Sequence, residues 1–416
     1  MEKEIELILD SFISDFDQRK LELLDRILLS LLLKKEVLLW RGKNRIRTRK
    51  IEEILDRYHS YRDLLRRRLL KMGGVNKDFL EKKIYSAPTR LILLITHSCQ
   101  LRCKYCRVGK FPAVMNEKIL FRGIDLLFTS NRDDIQLQFF GGEPLLEFEL
   151  IKKAVAYAER LNERLRKNLK FILTTNGILM TKERIDFLKK HNFFIECSVD
   201  GEIENQLKTR KAHNGKNYYT QVMRNFKYLF DSDIPHYSIS VFMPDNVSSM
   251  YRNFKHLVNA GFKKLQMNYS LGIFWPKKSI NTLFRQSQRI FEFVREKKGV
   301  EFINLTSLRR EPVVLNAELT VDCDGGIYLE SGICLEEDFF SMKKKFLVSC
   351  LSKAENIGFY TTTPFQNFYR LTKAYAEAYP DFRNIILNNI FLGRMYGEFL
   401  KRGCWGNVKI RGEYPW

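Results

Sequence analysis

Three cysteines fall within eight residues, at Cys99, Cys103 and Cys106, directly after a run of β-forming residues. Three thiolates on one loop can wrap a cubane iron–sulfur cluster, which normally takes four ligands, and so leave one iron open to react. Zinc is the alternative. A structural zinc site needs a fourth Cys or His close by, and His97 stands at a strand end with an awkward spacing. The chain has eight cysteines, too few for a disulfide scaffold. Cys197, inside an apolar strand, reads as a small buried residue. Cys323, Cys334, Cys350 and Cys404 could supply four ligands to one auxiliary cluster, or stand as isolated thiols.

Other polar groups recur at the ends of β-rich runs. Gly141-Gly142-Glu143-Pro144 follows the second such run. Two glycines let a backbone approach a ligand closely, and Glu143 or nearby carbonyls can accept hydrogen bonds from an ammonium group. The same four residues could be only a turn with Pro near the first helical position. Thr174-Thr175-Asn176-Gly177 ends the third run and Ser198-Val199-Asp200-Gly201 ends the fourth. Each is weak alone, but together they place polar groups at successive strand ends.

The elements that must position these groups follow from hydrophobic periodicity. Strands are expected at 91–96, 135–140, 171–175, 193–199, 237–242 and 264–269. Amphipathic helices are expected near 116–130, 147–167, 181–191, 218–231, 248–260 and 282–298. Six successive βα units predict an α/β fold with a parallel sheet curled into a partial (β/α)6 TIM-like barrel, which binds ligands at the carboxyl ends of its strands.

The full chain of 416 residues, 45% of them apolar, is long enough for two or three domains with real cores. Residues 1–87 read as a helical N-terminal domain, with Leu21, Leu24, Ile27, Leu28, Leu31 and Leu32 at helical spacing. Residues 88–298 form the core, and 299–416 an α+β extension. That extension opens with a hairpin around Asp324-Gly325 and ends in helix, including Phe368 to Ala378 and Phe391 to Leu400. The net charge is +22, from 71 Lys and Arg against 49 Asp and Glu. Its dense part, about +10 over residues 41–90, is either a surface for an acidic partner or a solvated helical face. No apolar run is long enough to span a membrane and the N-terminus lacks a secretory pattern, so a cytoplasmic protein is expected.

The run Thr96-His-Ser-Cys-Gln-Leu-Arg-Cys-Lys-Tyr-Cys106 resembles the cluster loop of the radical S-adenosylmethionine (SAM) superfamily, Cys-x3-Cys-x-aromatic-Cys, with Tyr105 at the aromatic position and Gln100 in place of the common Asn. The resemblance implies a [4Fe-4S] cluster on Cys99, Cys103 and Cys106 and bound SAM, reductively cleaved to a 5′-deoxyadenosyl radical. It implies that Gly141, Gly142, Glu143 and Pro144 hold the SAM amino group and that Thr175 and Asn176 lie near SAM. It further implies that Ser198 and Asp200 approach the ribose or carboxylate, and that Arg210 pairs with the carboxylate.

The hairpin Val321-Asp-Cys-Asp-Gly-Gly-Ile-Tyr328 resembles the SPASM or twitch extension of peptide-modifying maturases and anaerobic sulfatase-maturating enzymes. Here Glu330 stands where a cluster-binding cysteine is usual. The implied function is modification of a peptide or protein side chain by a maturase of ribosomally made peptides. Its substrate would be an acidic one held by the N-terminal domain, and its electron donor a ferredoxin or flavodoxin. A radical SAM enzyme acting on RNA or a small metabolite is the alternative, because the charge also suits phosphate contacts. A non-catalytic iron–sulfur binding protein is a third reading.

Overall fold

Residues Leu91 to Ile95 are an unbroken apolar run, buried on both faces, as a central parallel strand requires. They form the middle of β1 (Arg90–Thr96). The computed structural model describes residues 88–306, 318–329 and 343–351, together with 385, 388–389, 392–393, 395–397 and 399–400. The expected N-terminal helical domain, the helix Phe368 to Ala378, Glu330, Cys334 and Cys404 lie outside the described residues.

The other strands are β2 (Leu101–Cys103), β3 (Asp134–Gly141), β4 (Asn168–Thr175), β5 (Phe193–Ser198) and β6 (Arg210–Ala212). They continue with β7 (His236–Phe242), β8 (Lys264–Tyr269), β9 (Glu301–Phe302), β10 (Leu319–Val321), β11 (Gly326–Leu329) and β12 (Leu347–Cys350). Ten of them make one sheet in the order β12-β11-β10-β1-β3-β4-β5-β7-β8-β9. Every pair from β10 to β9 is parallel. The six expected strands are β1, β3, β4, β5, β7 and β8. No pairing closes the sheet into a full barrel among the described residues.

Helices α1 (Glu117–Phe128), α2 (Phe148–Leu165), α3 (Lys182–Lys190), α4 (Ile203–Thr209), α5 (Tyr219–Phe230), α6 (Met250–Ala260) and α7 (Lys277–Glu296) join the strands. Asn116 caps α1 by accepting from the Ile119 backbone N–H, and Thr181 caps α3 from Arg184. Gly261 ends α6 at φ 121°, a conformation that L side chains resist.

The expected hairpin is present. β10 and β11 pair antiparallel with Leu319 opposite Leu329, and β10 adds parallel to β1, placing Val321 beside Leu93. Late in the chain, Asn388 and Asn389 clamp the loop after β8. Asn388 accepts from the Trp275 backbone N–H at 2.8 Å and donates to its carbonyl at 2.9 Å, while Asn389 accepts from Gly272 at 2.9 Å.

Sheet parity on β7 runs against the simple pattern. Ser238 and Ser240 are fully buried on the helix side, while Tyr237, Ile239 and Val241 are half-buried because they face a cavity. Ser240 is satisfied there by donating to the Val199 carbonyl at 2.6 Å.

Candidate active site

The loop after β1 carries the three cysteines, and two short elements hold it in shape. β2 pairs antiparallel with β6, so that Cys103 lies opposite Arg210 and Leu101 opposite Ala212. Lys104 donates its backbone N–H to the Thr209 carbonyl at 2.9 Å, and His213 donates to Gln100 at 3.0 Å. Cys99, Cys103 and Cys106 are free thiols, each partly exposed. All three line one cavity of about 1170 Å³. Burial pushes the Cys99 thiol up to about 11 and the Cys103 thiol up to about 12. Thiols held protonated by burial are stable without a ligand, and a metal centre would replace their protons.

Behind the loop lies a buried ion pair. Asp200 is fully buried, and Arg210 meets it with Nε 3.0 Å from Oδ2 and Nη2 3.1 Å from Oδ1. The same carboxylate accepts from the Tyr105 hydroxyl at 2.6 Å, the Thr209 hydroxyl at 2.6 Å and the Val241 backbone N–H at 3.0 Å. The Arg210 guanidinium also sits 5.4 Å from the Tyr105 ring centroid. Asp200 and Arg210 are thus each other's partners, and through Tyr105 and β6 they fix the loop between Cys103 and Cys106. Of the pair, Arg210 lines the cavity.

Gly141 and Gly142 let the chain approach the end of β1. Gly142 donates to the Thr96 carbonyl at 2.7 Å and Glu143 to the Ser98 carbonyl at 2.9 Å. A Cβ on Gly141 would overlap the Thr96 carbonyl and one on Gly142 the Ser98 carbonyl. The glycines therefore serve the junction with the cysteine loop as well as the cavity wall. The Glu143 side chain is buried and accepts from the Leu145 N–H at 3.1 Å, the Thr175 hydroxyl at 2.8 Å and the Asn176 N–H at 2.8 Å. Burial nonetheless raises its carboxyl to about 7. Pro144 opens a short 3-10 turn, Pro144–Glu147. Asn176 reaches both Cys99 Sγ, at 3.8 Å, and the Gln100 side chain, at 3.3 Å. Thr175, Asn176 and Ser198 line the same cavity.

His97, the residue weighed as a zinc ligand, is engaged elsewhere. Its Nδ1 donates to the Gly109 carbonyl at 2.8 Å and its Nε2 meets the Asp322 carboxylate at 2.8 Å. Asp322 also takes Lys343 at 2.9 Å. His97 therefore ties the cysteine loop to the β10–β11 hairpin. Cys323 donates its thiol to the Leu94 carbonyl at 3.2 Å, and burial, reinforced by Asp322 and Asp324, pushes that thiol up to about 12. Cys350 ends β12 opposite Gly326. Cys197 is fully buried.

Sequence reasoning missed the cavity floor. Glu196 accepts from Gln138 at 3.0 Å, Thr174 at 2.6 Å and Tyr237 at 2.8 Å, and Arg90 bridges Gln138 at 2.6 Å to Glu318 at 3.5 Å. The available signal was a lone carboxylate inside the apolar strand Phe193–Ser198. Lys110 was missed as well; its ammonium donates to Cys106 Sγ and to the Val108 carbonyl, each at 2.9 Å.

The donor set suits an iron–sulfur cluster. Three thiols on one clamped loop face a cavity together, and cationic Lys110 and Arg210 lie nearby to offset thiolate charge.

A family model described as the radical SAM superfamily matches residues 93–258. An uncharacterized protein of Methanocaldococcus jannaschii is 29% identical over 224 residues, which is 53% of this chain and 75% of that protein. The cysteine-type anaerobic sulfatase-maturating enzyme of Clostridium novyi is 25% identical over 185 residues, 42% of this chain and 49% of the enzyme. The chain thus spans about half the length of that enzyme. The solved structure of native anSMEcpe with bound AdoMet and Cp18Cys peptide matches with a TM-score of 0.58 at 18% identity. That match covers 67% of this chain and 81% of the other, and shows a shared fold.

Proposed function

On the premise that residues 93–258 are a radical SAM domain and the chain an enzyme of that superfamily, we propose that it modifies a side chain of a peptide or protein by radical chemistry, as a maturase. The observation that carries this reading is the cavity. Its volume of about 1170 Å³ exceeds the roughly 300–1,000 Å³ of an ordinary small-molecule site. It reaches from the cysteine loop past Ser198 to β7 and β8, leaving room for a substrate segment beside SAM.

A [4Fe-4S] cluster on Cys99, Cys103 and Cys106 would supply the electron that cleaves bound SAM to a 5′-deoxyadenosyl radical. The chain's own residues bind and orient. Gly141 and Gly142 bring the Glu143 segment against the cysteine loop, and Asn176 braces Cys99. The Asp200–Arg210 pair holds the loop through Tyr105, with Arg210 presenting its outer edge to the cavity. Ser198 and Thr175 complete the polar wall toward the SAM ribose and amino group. Residues 1–87 would grip an acidic segment of the substrate. Residues 299–416 act as the SPASM- or twitch-like extension, and Cys323, Cys334, Cys350 and Cys404 are its candidates for one auxiliary cluster. A cytoplasmic ferredoxin or flavodoxin is the electron donor in this reading. No helix among the described residues is long and apolar enough to cross a membrane.

The named relatives support the substrate class: one is a sulfatase-maturating enzyme and the solved structure holds a peptide. The test is SAM cleavage by anaerobically reconstituted, chemically reduced protein. A short peptide encoded beside this chain's gene should raise release of 5′-deoxyadenosine and change mass itself. Stimulation by RNA or a metabolite instead would replace the substrate assignment, and a bound cluster without any 5′-deoxyadenosine would mark a non-catalytic protein.

A further inference from the structure

Lys110 has no evident task in holding the fold. It lies four residues beyond the third cysteine, half-buried, and lines the cavity beside Cys99, Cys103 and Cys106. Its ammonium makes two hydrogen bonds, to Cys106 Sγ at 2.9 Å and to the Val108 carbonyl at 2.9 Å. Among the described residues no carboxylate pairs with it.

Arg210, another cation of the cysteine loop's surroundings, pairs with a carboxylate. That residue lies opposite Cys103, but its guanidinium is locked on Asp200, whose carboxylate offsets part of its effect on the thiol. Among the described residues, Lys110 is the cation whose ammonium hydrogen-bonds a cysteine sulfur of the loop. From this geometry we infer that Lys110 is a positioning and tuning residue for the cluster: its fixed positive charge and N–H···S bond on Cys106 raise the potential at which the bound cluster is reduced. The inference rests on the assignment of a [4Fe-4S] cluster to Cys99, Cys103 and Cys106.

One-electron reduction adds a negative charge to an assembly already carrying three thiolates. A cation within hydrogen-bond distance of one thiolate stabilises the reduced state more than the oxidised one, and partial burial limits screening by water. Removing that charge must therefore make reduction harder. A neutral side chain of similar length, methionine, keeps the packing and loses the charge, whereas arginine keeps the charge and can donate to sulfur.

The test compares wild type, Lys110→Met and Lys110→Arg, each reconstituted anaerobically and titrated with Ti(III) citrate in the absence of SAM. The reductant gives one electron per cluster, Ti(III) becoming Ti(IV), and the reduced fraction is read by electron paramagnetic resonance. At the potential that half-reduces wild type, the Met variant should show a reduced-to-oxidised ratio about tenfold lower, a shift of about 59 mV for a one-electron couple. Its iron content should match wild type, and the Arg variant should stay within about threefold of wild type.

An unchanged potential in Lys110→Met, with full iron, overturns the inference. So does loss of iron from that variant, which would make Lys110 a structural brace of the loop. A weakened SAM affinity at unchanged potential would assign it to the SAM carboxylate instead. Wild type that takes up no iron would refute the cluster assignment itself, which separates that failure from the failure of the Lys110 inference.

Discussion

Replacing Asp200 by Asn tests whether one buried carboxylate holds the cysteine loop in place. Asp200 is fully buried and Arg210 is 7% exposed, and the carboxylate accepts hydrogen bonds from Arg210, Tyr105, Thr209 and Val241. The substitution leaves the guanidinium buried without a counter-charge and turns one acceptor into an amide donor facing other donors. Breaking one side of a buried ion pair in this way costs about 3–5 kcal/mol. For a unit of roughly 300 residues that corresponds to a fall in Tm of roughly 5–8 °C, measured on the apo-protein by calorimetry. The double variant Asp200→Asn/Arg210→Met removes the orphaned charge as well, and should recover at least ~1.5 kcal/mol of the loss. Its β2–β6 clamp would still lack the Tyr105 anchor, so iron uptake should stay below wild type. Additive losses in the cycle, or an Asp200→Asn protein within about 1 kcal/mol of wild type, would refute the claim that this pair carries the loop.

Three further outcomes are expected. Glu143 has its carboxyl raised by burial to about 7 from an ordinary 4.5, so its contribution to stability is fully present below about pH 4.5 and lost as pH rises through about 7. Urea titrations of apo-protein across that window should show the slope in wild type and its removal in Glu143→Gln. Gly142→Ala places a methyl group against the Ser98 carbonyl and should cost at least ~2 kcal/mol, with reduced iron uptake after reconstitution. The triple variant Cys99→Ala/Cys103→Ala/Cys106→Ala should lose about four irons together; a remainder near four would assign an auxiliary cluster to the C-terminal cysteines, and a remainder near zero would exclude one.

Much of the site is legible without coordinates, because it is built from short-range pieces. The cysteine spacing, the Gly-Gly-Glu-Pro element, and the Asn176 and Ser198 strand ends all sit where continuous apolar strands stop. Strands buried on both faces announce themselves by composition alone, and the six core strands lie within a few residues of their expected positions. The pairing of β2 with β6 was not legible, because a three-residue strand has no periodicity to read. β7 was legible as a strand but not in its orientation. Its serines face the helices and its isoleucine and valine face the cavity, with Ser240 bonded to the Val199 carbonyl and the Ser238 hydroxyl left without a hydrogen-bond partner.

What the chain determines by itself is therefore the chemistry on offer: three thiols on one loop at a strand end, beside a glycine-rich turn, in a βα repeat. What only the tertiary structure decides is how those groups are charged and held. Asp200 and Arg210 are matched to each other across a buried contact, His97 finds Asp322 from 225 residues away, and Lys110 turns back onto Cys106. Periodicity reports which way a side chain points, whereas the partner of a buried charge is set by the cost of leaving it unpaired, and that cost exists only once the chain has folded around it.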